Sequence, residues 1–257
     1  MNKIKNSKAK TTKKKLSQNK KILIIVATIF GVILLTSASL FAYQVYIENN
    51  QPDVNKPWCG IDTETIDCRS MHTDKPIIYL YASRITDVKV KLEYNGKLTS
   101  TYPSYDKTIS GWQVIARPDG NLVNIADGKE YSYLFWEGIG NTNYSKFDNG
   151  FVVKGSQTKD FLQSSLAKMG LTPREYNEMI VYWLPKMENN NYNLIRFAGK
   201  EYTDNAKLTV TPTPDSTLRV FMVFKSLDKY QQLPKQQLQS FERKGFTVVE
   251  WGGTEVR

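Results

Sequence analysis

The first 42 residues constrain this chain more than any other stretch. Nine lysines and no acidic residue occupy positions 1–21, and an apolar run from Ile22 to Ala42 follows at once. About 21 helical residues at roughly 1.5 Å each reach across a hydrocarbon core of about 30 Å, so the run predicts one transmembrane helix. No Lys or Arg occurs between Tyr43 and Asn55. The positive-inside bias then puts the N-terminus in the cytoplasm and the C-terminal domain outside the cell, in a single-pass protein of the plasma membrane. Phe41, Tyr43 and Tyr46 fall at the outer end, where aromatic rings favour the boundary between lipid and water. The competing reading is a cleaved secretion signal, with Ile22 to Leu35 as its core and Ser39 and Ala42 near the cut. The run is longer than the about 7 to 15 residues of a signal core, which favours a retained anchor, and both readings export the same residues.

The formal net charge of +10 belongs almost wholly to the tail, because without its lysines 26 basic residues face 25 acidic ones. A protein that binds nucleic acid through phosphate contacts needs a concentrated basic face, so nucleic acid is not an expected partner. The expected partners of the N-terminal part are the lipid bilayer, through Ile22 to Ala42, and anionic headgroups, through the lysine-rich tail.

Four segments follow: a basic tail at 1–21, the transmembrane helix at 22–42, an extracytoplasmic stalk at 43–74 and a β-rich domain at 75–257. The stretch from Asn49 to Pro57 is polar and contains two prolines, as suits a stalk. Cys59 and Cys68, the two cysteines of the chain, lie just beyond it. In an oxidising compartment such a pair predicts a disulfide closing a short loop. With one histidine, His72, and no second cysteine pair, metal binding by the cysteines is the weaker reading and a multi-histidine centre is ruled out, so no metal and no cofactor is expected.

Ile77 to Tyr81 reads as a buried strand. Val88, Val90, Leu92 and Tyr94 alternate with charged residues, Asn95-Gly96 offers a two-residue turn, and Leu98 to Tyr102 returns, which predicts a hairpin. Trp112 to Arg117, Leu122 to Ile125 and Tyr131 to Trp136 continue as strands between glycine-containing turns. Phe161 to Met169 has a helical face, and Thr172-Pro173-Arg174-Glu175 opens a second helix. Ile180 to Leu184, Tyr192 to Phe197, Lys207 to Val210 and Leu218 to Phe224 read as strands. A last helix from Pro234 to Lys244 precedes a strand from Phe246 to Trp251. The predicted class is α+β, mainly antiparallel and sandwich-like, with about three short helices after the transmembrane one.

Trp136-Glu137-Gly138 and Glu250-Trp251-Gly252 form a mirrored pair at the ends of apolar strands. Two carboxyls about 5 to 9.5 Å apart are what glycoside hydrolysis requires, and indole rings suit sugar faces. Glu137 and Glu250 are therefore the candidate catalytic residues, and Trp136 and Trp251 the candidate binding ones. The bland reading places both indoles in the core and each Glu at a turn or in solvent. Ser-x-x-Lys recurs too often to be informative, and K-T-G, G-x-S-x-G and P-loop patterns are absent.

The strings Lys75 to Tyr81 (KPIIYLY), Tyr133 to Glu137 (YLFWE), Val181 to Pro185 (VYWLP), Arg219 to Met222 (RVFM) and Val249 to Gly253 (VEWGG) resemble those of an uncharacterised family of exported or membrane-anchored proteins. The resemblance implies that 75–257 is one evolutionary unit and supplies no activity. The leading expectation is a non-catalytic module at the cell surface, binding a cell-wall glycan or a protein through a partly aromatic surface. A carbohydrate-active hydrolase using the Glu pair is the alternative, and a plain spacer a third.

Overall fold

The computed structural model of the chain describes residues 71–256 together with Gln44. The apolar run 22–42, the cysteines at 59 and 68 and most of the stalk segment lie outside the described residues. Among the described residues no helix is long and apolar enough to cross a membrane.

Twelve strands are described: β1 (Met71–Tyr81), β2 (Thr86–Tyr94), β3 (Gly96–Tyr102), β4 (Gly111–Ala116), β5 (Leu122–Asn124), β6 (Glu130–Tyr131), β7 (Leu134–Gly140), β8 (Phe151–Lys154), β9 (Tyr192–Ala198), β10 (Ala206–Thr211), β11 (Ser216–Leu227) and β12 (Thr247–Glu255). Three helices accompany them: α1 (Thr158–Lys168), α2 (Pro173–Met187) and α3 (Lys200–Asn205). Seven strands form one sheet in the order β3, β7, β1, β12, β11, β9, β8, and five form another in the order β10, β2, β4, β5, β6. All pairings are antiparallel except β11 with β12, which run parallel. The domain is thus an α+β sandwich, with its first strand starting at Met71, inside the segment assigned to the stalk.

The seven-stranded sheet is covered on both faces. One face meets the small sheet, so that Ile78, Leu80, Trp136, Phe221, Val223 and Val248 pack with Val88, Val90, Trp112 and Val114 in a first core. The other carries α1 and α2, so that Ile77, Tyr79, Val220, Met222, Val249 and Trp251 pack with Leu162, Met179 and Trp183 in a second. Because side chains alternate along a strand, neighbouring residues of β1, β11 and β12 enter opposite cores.

Four local expectations are corrected. Strands β2 and β3 do not form a hairpin, because β2 joins the small sheet and β3 the large one, and Asn95-Gly96 is the corner between them. A Cβ at Gly96 would collide with the Ile139 carbonyl and the Tyr94 ring, so this close approach admits only glycine. The run Tyr131 to Trp136 is likewise divided, between β6 in one sheet and β7 in the other. Ile180 to Leu184 is helical, since α2 runs on through it. The Thr172 N–H donates to Glu175 Oε2 at 2.7 Å at its start, and Met179, Ile180, Trp183 and Met187 make one buried stripe. Pro234 to Lys244 forms no helix. Its backbone is tied sideways, with the Gly150 N–H donating to the Pro234 carbonyl at 2.9 Å. The Gln236 amide bonds the N–H and the carbonyl of Phe197 at 2.8 and 2.7 Å.

Trp183 is sealed between α2 and the sheet, its ring centroid 5.8 Å from that of Phe224. Trp183→Ala should lower the unfolding free energy by about 3–5 kcal/mol, read as a shifted urea midpoint.

Candidate functional site

The two glutamates singled out in the sequence are on opposite faces of the large sheet. Trp136 and Glu250 both enter the first core, where the indole Nε1 donates to Glu250 Oε1 at 3.2 Å. Arg219 Nε donates to Glu250 Oε2 at 2.6 Å. Glu250 is 0% exposed. The Arg219 guanidinium lies 4.8 Å from the centre of the Tyr202 ring. Burial opposes the Arg219 charge, but Glu250 and Tyr202 outweigh it and hold the proton above the ordinary arginine value. Burial, then Glu250 beside it, pushes the Tyr202 hydroxyl well above the usual phenol range. Glu137 follows Phe135 onto the other face, and Trp251 enters the second core, donating to Tyr79 Oη at 3.2 Å. With a sheet between them the two carboxyls cannot flank one glycosidic bond, and both indoles are 0% exposed, so neither offers a face to a sugar.

A different set converges around Glu137. In β1 the register slips between Asp74 and Ile77 against β12, and between Thr73 and Ile77 against β7. Lys75 sits in this bulge at φ +57°, a left-handed conformation rare for a side-chain-bearing residue. Pro76 follows and has no N–H for a ladder bond. Gly252 on β12 leaves room for it, since a Cβ there would stand 3.0 Å from Pro76 Cα. The bulge brings Asp74 and Lys75 into the company of Glu137 on β7 and of Tyr182 and Lys186, one turn apart on α2.

Lys75 Nζ lies 5.4 Å from the Phe135 ring centre and 5.3 Å from that of Tyr182. Lys186 Nζ donates to Tyr182 Oη at 3.2 Å. Burial raises the Asp74 carboxyl above its ordinary value, against the lowering charges of Lys186 and His72. Burial also raises Glu137, and Asp74 adds to it, while the Lys75 N–H and the Lys75 and Lys186 charges pull the other way. The Tyr182 hydroxyl is raised, first by burial. Phe135, Glu137, Asp74, Lys75 and Tyr182 are all half-buried. With the exposed Lys186 they make a shelf that carries two carboxyls, two ammoniums, a phenol and a flat apolar ring.

Tyrosines extend this shelf along the same face. Tyr79 stacks on Tyr81 with centroids 6.1 Å apart and meets Tyr133 edge-on at 5.7 Å. Its hydroxyl donates to Glu178 Oε2 at 2.6 Å. The Arg243 guanidinium covers the Tyr81 ring at 5.2 Å, and Tyr102 on the outer strand β3 is 60% exposed. Asp74, Lys75, Tyr182 and Lys186 were not among the candidates of the sequence. Lys75-Pro76 before a strand is the one local signal of the bulge, and nothing ties it to α2.

No family model and no solved structure matches the chain. It is similar to a protein of Butyrivibrio fibrisolvens described as an uncharacterized protein in the bglA 3' region, 45% identical over 67 residues. The match covers 25% of this chain and 65% of that protein, just under two thirds of its length.

Glu250→Leu leaves Arg219 buried without its partner and should destabilise the fold by about 3–5 kcal/mol, most of which a second change, Arg219→Met, should restore. Denaturant midpoints of both variants check this. Asp74 and Glu137 hold protons more tightly when folded than at the ordinary values of 3.8 and 4.5. Their contribution to stability is therefore full below those values and is lost as pH rises through the raised native ones. A chain carrying Asp74→Asn and Glu137→Gln should lack that part of the decline when unfolding is followed across acidic pH.

Proposed function

We propose that this chain is a single-pass, membrane-anchored protein whose exported domain is a non-catalytic binding module, and that the shelf around Glu137 holds its ligand. The observation that carries the reading is the grouping of Phe135, Tyr182, Asp74, Glu137, Lys75 and Lys186, half-open to solvent and drawn from two strands and a helix. Flat rings cover the apolar faces of a sugar, and flanking charges of both signs bond its hydroxyls. A cell-wall glycan is the ligand class that this chemistry favours over a protein.

The anchor and the contact of the lysine tail with anionic lipid rest on the run 22–42 and the nine lysines before it. Export of the domain would carry this shelf to the side of the membrane where wall polymers are. The placement of Glu137 and Glu250 on opposite faces of the sheet supports binding over paired-acid hydrolysis.

Calorimetric titration of the full-length chain in detergent micelles with peptidoglycan fragments and chitooligosaccharides tests the reading. Saturable binding without release of reducing ends is expected, weakened about tenfold by Phe135→Ala or Lys186→Ala. Release of reducing ends that Glu137→Gln abolishes would make the protein a hydrolase instead, and an absence of heat with every glycan would leave it a spacer.

A further inference from the structure

At the far edge of the large sheet, β8 is the last strand, and along its outer side the one bridge among the described residues is between Gly150 and Lys235, in parallel sense. Gly150 turns both its backbone groups outward: its N–H donates to the Pro234 carbonyl at 2.9 Å, and its carbonyl accepts from the Gln236 N–H at 3.4 Å. Alternation then points the N–H and carbonyl of Val152 to the same side, while Phe151 and Val153 pair with β9. Among the described residues, the backbone of the arch formed by the segment after β11 bonds this edge at Gly150 and nowhere along Phe151–Lys154. A groove of about 490 Å³ opens between the edge, α1 and the arch.

The groove has two kinds of wall. Backbone donors and acceptors line one side, and Phe161, Tyr230, Leu233 and Leu238 supply apolar surface on the others. Two lysines, Lys168 and Lys235, line it, and among the described residues no carboxylate does. Lys154, exposed at the end of β8, adds a third cation. An unpaired edge beside a helix is the setting in which extended peptides add as an extra strand, with backbone bonds for affinity and side-chain pockets for selectivity.

We infer that this groove binds an extended, acidic peptide segment of another protein by strand addition to β8. The four residues of β8 span about 13 Å at roughly 3.3 Å each, so the peptide core that pairs is about four residues long. Alternate apolar side chains of the peptide face Phe161 and Leu238, and carboxylates between them meet the lysines. The arch supports this geometry, since its own backbone already bonds the same edge at Gly150. The inference is independent of the glycan shelf.

Fluorescence anisotropy of a labelled octapeptide of alternating valine and glutamate, titrated with the full-length chain in detergent micelles, tests it. Saturable binding is expected, and N-methylation of alternate backbone amides in the peptide should abolish it. Val152→Pro, which an edge strand tolerates, removes the outward donor and should weaken binding about tenfold or more. Lys168→Glu, at an exposed helical position, should weaken it also and let an alternating valine and lysine peptide bind in its place. No saturation up to about 1 mM, or equal binding of the N-methylated peptide, would overturn the inference. So would a stable dimer of the chain that Val152→Pro dissociates, because the edge would then belong to a second copy.

Discussion

β12 has no water on either face, and the rest of the domain is arranged around that. From Thr247 to Thr254 every residue is buried, Val248 and Glu250 toward the small sheet and Val249 and Trp251 toward the helices. One strand thus anchors two cores, and a slip of one residue would send each side chain into the wrong one. The charge of Glu250 enforces the register. It stands directly across from Arg219 on the parallel neighbour β11 and accepts the indole N–H of Trp136 from β7. Desolvating such a pair consumes most or all of its Coulomb attraction, so it adds little net stability. What it adds is position, because a misregistered β11 would leave a buried charge without its partner.

The second consequence of a doubly covered sheet is that its covering can end. Helix α2 lies over the middle strands and α1 beside the β8 edge, and β7 and β3 extend past them, so Phe135, Glu137 and Ile139 are half-buried whereas Leu134 and Trp136, on the sandwich side, are sealed. The bulge at Asp74 to Pro76 falls at that margin. It turns two charged residues of a central strand toward the open margin, and Tyr182 and Lys186 on α2 close the group from the other side. Burial is deep enough to perturb the carboxyls and shallow enough to leave them reachable, a combination associated with binding and reactive sites more than with structural ones.

Much of this architecture was legible from residue patterns. The alternation in Val88 to Tyr94, the capping signature at Thr172 to Glu175 and the glycine turns at Gly120 and Gly128 are local, and local physics decides them. What patterns could not supply was partnership. Asn95-Gly96 has the composition of a hairpin turn, yet the small sheet and the large sheet compete for the strands on either side, and packing of Tyr94 against Gly138 and Gly140 decides the outcome. Ile180 to Leu184 is apolar enough for a strand, and only the cap upstream and the buried stripe ending at Met187 make it helix. Glu137 was a candidate for the wrong reason: its resemblance to Glu250 is a coincidence of spelling, since the register of β7 and of β12 against β1 between them turns the two side chains to opposite faces.

Shelf and groove lie apart on one rigid sheet. From β1 to β8 there are four strand spacings, about 19 Å at roughly 4.8 Å each, and the intervening strands β12, β11 and β9 are each buried along a continuous run, Thr247–Thr254, Val220–Phe224 and Asn193–Ala198. Ligands at the two places would therefore not collide. Coupling between them would need a second arrangement of the central strands, and the Arg219 to Glu250 pair, together with glycines at 252 and 253 pressed against Pro76 and Trp183, leaves no alternative register for one to adopt. The physical expectation is independent occupancy of the proposed glycan shelf near one edge and the proposed peptide groove at the other, each with the affinity it would have alone.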